Sequence, residues 1–236
     1  MSFQPFNPGK TVHNHRGRLP HWRQWGTTYF VTSRLADSLP ADVLAAWRSK
    51  RDAWLLEKGI ASAQELDHLS EDQRHAYHRE FTARFHELLD SGHGECLLAN
   101  PGHAAILSTK LMSGHGTDYQ LDSWVIMPNH LHALVQPAEG TQLGSIVQRW
   151  KGGSAREINK VLGSSGQLWQ HELFDHIVRS EAQMDHYRRY IAMNPTKAGL
   201  KSGFVLGIGA ESGLAAETLL ERFDLQREAK QSSSEL

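Results

Sequence analysis

The stretch from Trp124 to Val135 constrains this chain more than any other. It sets a His-Leu-His triplet inside an otherwise apolar run. Two segments rich in β-branched and aromatic residues flank Pro128-Asn129, which reads as a turn between two antiparallel strands, Tyr119 to Met127 and Leu131 to Val135. Side chains alternate faces past the turn, so His130, His132 and Leu134 point one way while Leu131, Ala133 and Val135 point the other. Two imidazoles on one strand face can grip a single metal ion. The same spacing also describes two partly exposed histidines on a polar sheet face, and the triplet alone does not choose between them.

A chain of 236 residues suits one well-cored domain with additions or two small ones. No apolar run approaches a membrane span or the core of a signal peptide, so the expected location is cytoplasmic, with no membrane partner. The single cysteine, Cys96, excludes an internal disulfide framework and a cysteine-based zinc site, and is expected to be a small buried hydrophobe. Net charge is −1, but its distribution is uneven. Thr141 to Lys201 holds nine Lys/Arg against five Asp/Glu, whereas Ala36 to Glu95 holds seven against twelve. The basic excess therefore follows the triplet.

Taken in order, residues 1–20 read as an irregular arm and Thr27 to Leu35 as a strand. Helical spacing runs from Pro40 to about Lys58, where Gly59 ends it, and again from Ser70, which opens a capping box, to Asp90. This acidic pair could be a partner surface, with a solvated support the default. Asn100-Pro101 opens a third helix ending near Leu111. Leu143 to Leu162 is a fourth, weakened at Gly152-Gly153, and Trp169 to Val178 is mixed. Ser180 caps a last helix, which Pro195 is expected to stop at Asn194. Residues 226–236 read as disordered.

That last helix carries the second half of a possible site. Tyr190 and Asn194 lie four apart and share a face, with Tyr187 adjoining. A phenol is a poor nucleophile at its ordinary pKa of about 10 and needs a nearby cation or base. A divalent ion held by two imidazoles and an amide oxygen would polarise a phosphodiester for attack. Lys151, Arg156, Arg179, Arg188, Arg189 and Lys197 together form the best phosphate-binding patch in the chain. Trp150 and Trp169 read as core rather than as base-stacking platforms. His171, Glu172, Asp175 and His176 could supply a base or orient a ligand, with surface polarity the default.

Met127-Pro128-Asn129-His130-Leu131-His132 resembles the His-hydrophobic-His signature of HUH single-strand endonucleases, specifically the REP-associated tyrosine transposases. The match includes Leu19-Pro20-His21-Trp22, Tyr29-Phe30-Val31-Thr32, Trp150-Lys151, Ile158-Asn159, Trp169-Gln170 and Phe174 to Arg179. It continues from Tyr190 to Leu200 and covers roughly residues 19–205. The resemblance implies an α+β fold, an antiparallel sheet flanked by helices (a ferredoxin- or RRM-like HUH core), with the inserted helical pair at about 38–95. It implies a transposase-like domain over 1–206 and a C-terminal tail, partly disordered, over 207–236. By residue it implies His130 and His132 as metal ligands, Tyr190 as nucleophile and Asn194 in the place of the third ligand. Asn194 stands where the insertion-sequence relatives carry a glutamine, which is one methylene longer.

The expected activity is a single-strand DNA endonuclease and strand transferase acting at hairpin sites through a 5′-phosphotyrosine. Mg2+ or Mn2+ is the expected ion, and the chain is expected as a monomer or homodimer. The alternative is a non-catalytic binder of structured DNA or RNA. A zinc hydrolase of small phosphoesters lacks a third His or a nearby carboxylate motif.

Overall fold

The computed structural model describes residues 13–16, 20–24, 26–61, 69–171 and 173–224. The fold is α+β and is built around a six-stranded sheet. Its strands are β3 (Tyr29–Arg34), β4 (Tyr119–Ile126), β5 (His130–Pro137), β6 (Phe174–Ile177), β7 (Val205–Ile208) and β8 (Glu211–Ser212). They are ordered β6-β3-β5-β4-β7-β8, and every neighbouring pair is antiparallel. A separate hairpin, β1 (His13–Arg16) with β2 (Pro20–Arg23), replaces part of the expected irregular arm. Its remaining residues, 1–12 and 17–19, lie outside the described residues.

The strand alternation read from the triplet holds. Leu131, Ala133 and Val135 face a core with Trp124, Val31 and two helices, α4 (Pro101–Met112) and α5 (Leu143–Leu162). Trp150 and Trp169 belong to this core, as expected, and their indoles donate to Tyr119 Oη and Ser154 Oγ. Gly152 and Gly153 do not break α5. A Cβ at Gly153 would stand 3.2 Å from the Lys110 stem, so the glycine lets α5 lie close to α4.

The opposite face carries Phe30, Val125 and Leu134. It is covered by α6 (Glu181–Lys197) and by Leu219 and Phe223 from a helical segment at 216–224. A third cluster joins α1 (Ala41–Glu57), α2 (Glu71–Tyr77) and α3 (Ala83–Asp90), the last two linked through a π-helical turn at His78–Thr82. The capping box forms: Gln73 N–H donates to Ser70 Oγ, and Ser70 N–H donates to Gln73 Oε1. The other two expected caps form as well, Asn100 on Gly102 N–H and Ser180 on Gln183 N–H.

Two expectations are corrected. α6 does not stop at Asn194 but runs through Pro195 to Lys197. A proline removes only its own N–H, here the donor to the Ile191 carbonyl. The next turn still closes, through Ala198 N–H to Asn194 O and Leu200 N–H to Pro195 O. Cys96 is half-buried, with φ of 51°, and its Sγ lies 3.3 Å from Gly92 O, so it is a bend residue rather than core filling. Further along, β7 pairs with β4 and β8 with β7. The expected disorder of 226–236 lies outside the described residues.

Candidate active site

β5 lies between β3 and β4, which sets His132 across from Thr32 on one side and Val125 on the other. Both histidines are fully buried. His130 Nδ1 lies 2.7 Å from Asn129 Oδ1, an oxygen that can only accept, so Nδ1 carries the proton and Nε2 a bare lone pair. Among the described residues no hydrogen-bond partner meets that Nε2. His132 Nδ1 lies 2.8 Å from Thr32 Oγ1 and its Nε2 3.4 Å from Tyr190 Oη, so α6 delivers the phenol directly over the histidine strand. Tyr187 is instead stacked on Phe30, with ring centroids 4.2 Å apart.

Burial depresses three imidazoles here, those of His86, His130 and His132. His130 falls to about 3, with the neighbouring His86 adding to the effect, and His86 falls to about 4. His132 lies well below its ordinary value through burial and the two other histidines. Neutral imidazole is the form that ligates metal. The Tyr190 phenol moves the other way. Burial raises it, and the Asp90 carboxylate raises it further against a hydrogen bond with Asn194. The net effect favours the protonated phenol.

The sequence reading missed two residues, both on α3. Asp90 Oδ1 comes 3.6 Å from His130 Nε2, and ligand atoms of Asp90, His130 and His132 all lie within 4.8 Å of one another. His86 packs edge-on to His132 and beside Tyr190. Burial also raises Asp90, to about 6. The inserted helical pair therefore lies against the histidines, where a solvated support was expected. Nothing local to residues 70–90 signals this, because the approach depends on how the segment docks.

Asn194 shares the site but faces Asp90: its Nδ2 donates to both carboxylate oxygens at 3.2 and 3.4 Å. Its Oδ1 is buried and meets no hydrogen-bond partner among the described residues. The donor set of two neutral imidazole nitrogens and nearby carboxylate and amide oxygens, with two of these atoms otherwise unsatisfied, suits a divalent cation.

A cleft of about 1120 Å³ opens onto Tyr190, and its walls include His86, Asp90, Arg179, Gln183, Tyr187 and Lys197. The expected phosphate patch is only partly assembled there. Arg179 and Lys197 line the cleft, and Lys197 Nζ lies 5.2 Å from the Tyr190 ring centroid. Arg189 pairs with Asp224 at 2.6 Å. Lys151 and Arg156 ride on α5, on the far side of the sheet, where Lys151 donates to the carbonyls of Gln170 and His171. Arg188 is a correction. It is 3% exposed and forms a two-pronged ion pair with Asp122 at 2.6 and 2.9 Å, so it is not available to a phosphate. His176 lines the cleft, His171 is exposed, and Glu172 lies outside the described residues.

Paired imidazoles on a central antiparallel strand thus lie beneath a tyrosine brought over them by a helix. Residues 110–194, which run from the end of α4 through the tyrosine helix to Asn194, match the IS200-like transposase family. The resemblance to REP-associated tyrosine transposases stands on sequence relatives as well. The REP-associated tyrosine transposase of Escherichia coli K12 is 29% identical over 84 residues, covering 34% of this chain and 47% of that protein. An uncharacterized protein of Haemophilus influenzae Rd is 31% identical over 101 residues, covering 32% of this chain and 54% of that one. The chain thus spans about half the length of the curated relatives it matches. Among solved structures, a REP-associated tyrosine transposase bound to a REP hairpin is similar at a TM-score of 0.39 and 17% identity, covering 76% of this chain and 74% of that one. A putative transposase of Deinococcus radiodurans is similar at a TM-score of 0.28 and 13% identity, covering 77% and 97%. Asp90 and His86 lie outside the residues matched to the family.

Proposed function

We propose that this chain is a single-strand DNA endonuclease and strand transferase acting at hairpin-associated sites through a 5′-phosphotyrosine. The observation that carries the reading is Tyr190 Oη standing 3.4 Å from His132 Nε2, beside the unpartnered His130 Nε2. In this reading Tyr190 Oη forms a bond to phosphorus while the bond to the 3′ oxygen breaks. The phenolic proton passes to solvent, and the departing strand leaves with a 3′ hydroxyl. The reverse attack by another 3′ hydroxyl rejoins DNA and frees the tyrosine. His130 and His132 would hold a divalent ion, Mg2+ or Mn2+, with Asn194 Oδ1 as the expected third donor. When bound, that ion supplies Lewis-acid activation of the phosphate and favours the ionised phenol. Arg179 and Lys197 receive the strand in the cleft, while Lys151 and Arg156 on α5 could meet only DNA that wraps around the domain.

The active unit in this reading is the transposase-like domain over 1–206, with residues 207–224 packed on it as support. It acts in the cytoplasm as a monomer or homodimer. A second reading is a non-catalytic binder of structured DNA or RNA, favoured by the burial that holds the Tyr190 phenol protonated. A labelled single-stranded hairpin oligonucleotide incubated with Mn2+ separates the two. A covalent adduct lost in Tyr190→Phe supports the enzyme, and hairpin binding with no adduct in the wild type leaves the binder.

A further inference from the structure

We infer that Asp90, carried on the inserted helical segment, is an anionic ligand of the same cation as His130 and His132. The insertion then completes a metal centre that the sheet only begins. This rests on the metal-site reading above and adds to it a residue from outside the family-matched stretch.

The first support is an unfavourable contact. Because His130 Nδ1 holds its proton against Asn129 Oδ1, the Nε2 lone pair faces the Asp90 carboxylate at 3.6 Å with no hydrogen between them. Two electron-rich atoms face each other in a site where His130 is wholly inaccessible and Asp90 only 17% exposed. A shared cation turns that repulsion into two bonds. With metal–ligand bonds of about 2.1 Å, two donors of one ion stand about 3.0–3.4 Å apart. The observed separation needs little closure.

The second support is that one side chain sets both partners. Asn129 accepts from His130 with Oδ1 and donates with Nδ2 to the carbonyls of Leu89 and His93, at 3.3 and 3.0 Å. Those carbonyls bracket Asp90 in the chain. Asn129 therefore fixes the His130 tautomer and pins the end of α3 at once, which makes it the positioning residue of the pair. Asn194 holds the carboxylate from its other side through Nδ2. A ligating carboxylate braced by hydrogen bonds from neighbouring amides is the usual outer support of a metal site. A charged donor also changes the set from neutral to net negative, which favours hard divalent ions.

The test uses the whole chain without DNA. Mn2+ binding is followed by calorimetric titration, and Co2+ binding by visible absorption, for the wild type, Asp90→Asn, Asp90→Glu and His130→Ala. Metal-free melting curves show whether each variant folds, and Asp90→Ser replaces Asp90→Asn should the latter not fold. Asp90→Asn is expected to lower Mn2+ affinity at least tenfold and to alter the Co2+ spectrum, and Asp90→Glu, which keeps the charge, to recover most of the affinity. Wild-type affinity and spectrum in Asp90→Asn, with loss in His130→Ala, would overturn this inference and leave the two-histidine centre standing. No binding by the wild type would overturn both.

Discussion

Replacing Arg188 by alanine should unfold much of this protein's margin of stability rather than weaken its grip on DNA. Arg188 and Asp122 are each 4% exposed in their side chains, and the guanidinium spans both carboxylate oxygens. Asp122 sits where the register of β4 on β5 shifts, between Leu121 and Trp124, so the bulge turns a carboxylate toward α6. Removing one partner of a buried ion pair strands the other charge, at a cost of about 3–5 kcal/mol. For a chain of this size each kcal/mol moves the melting temperature by about 2–4 °C, which gives a fall of about 6–20 °C. Differential scanning calorimetry of Arg188→Ala measures this directly. Asp122→Leu with Arg188→Met, which removes both charges and keeps bulk, should recover most of the loss. Arg189→Ala, which breaks a half-exposed pair with Asp224, should leave the melting temperature nearly unchanged. A melting temperature within about 2 °C of wild type in Arg188→Ala would refute the burial argument. So would a flattened salt dependence of hairpin binding in a fully folded variant.

Three further outcomes are expected. Tyr187→Phe should keep the covalent adduct that Tyr190→Phe loses, read on a denaturing gel, because the Tyr187 ring serves to stack on Phe30. Gly207→Ala should cost about 1–3 kcal/mol in chemical denaturation, since a Cβ there would stand 2.3 Å from the Trp124 ring. Metal-free stability should fall as pH drops from about 6.5 toward 4, because His130 (about 3) and His86 (about 4) stay neutral when folded but take up protons when unfolded, each worth up to about 1.4 kcal/mol per pH unit. Asp90, raised to about 6, opposes this between about 4 and 6 as a single group against at least two, so a denaturation series that showed stability rising on acidification would contradict the assignment.

What could be read in advance was what depends on local period. A two-residue alternation is enough to put His130 and His132 on one face, and a four-residue step is enough to stack Tyr190 with Asn194. Caps at Ser70, Asn100 and Ser180 are equally local. Arg188 was misread because its partner lies 66 residues away, and an arginine's own neighbours do not say whether it is buried. The signal was in the partner: an aspartate within the apolar strand from Tyr119 to Ile126 cannot be buried without a cation. Asp90 carried no comparable mark, since an acid at the end of an acidic helix looks solvated. Pro195 misled for a different reason, because one missing N–H near a helix terminus costs a single bond and not the turn.

The strand order carries a consequence for synthesis. β5 is flanked by β3 and β4, both made before it, so the histidine strand can pair on each side once it emerges. The outer positions stay open until residues 174–177 and 205–208 follow, and until then Phe30 and Leu134 have no α6 to cover them. A ribosome-bound chain thus presents two bare strand edges and an apolar face. An incomplete product meets chaperones and proteases before it can hold a tyrosine opposite its histidines.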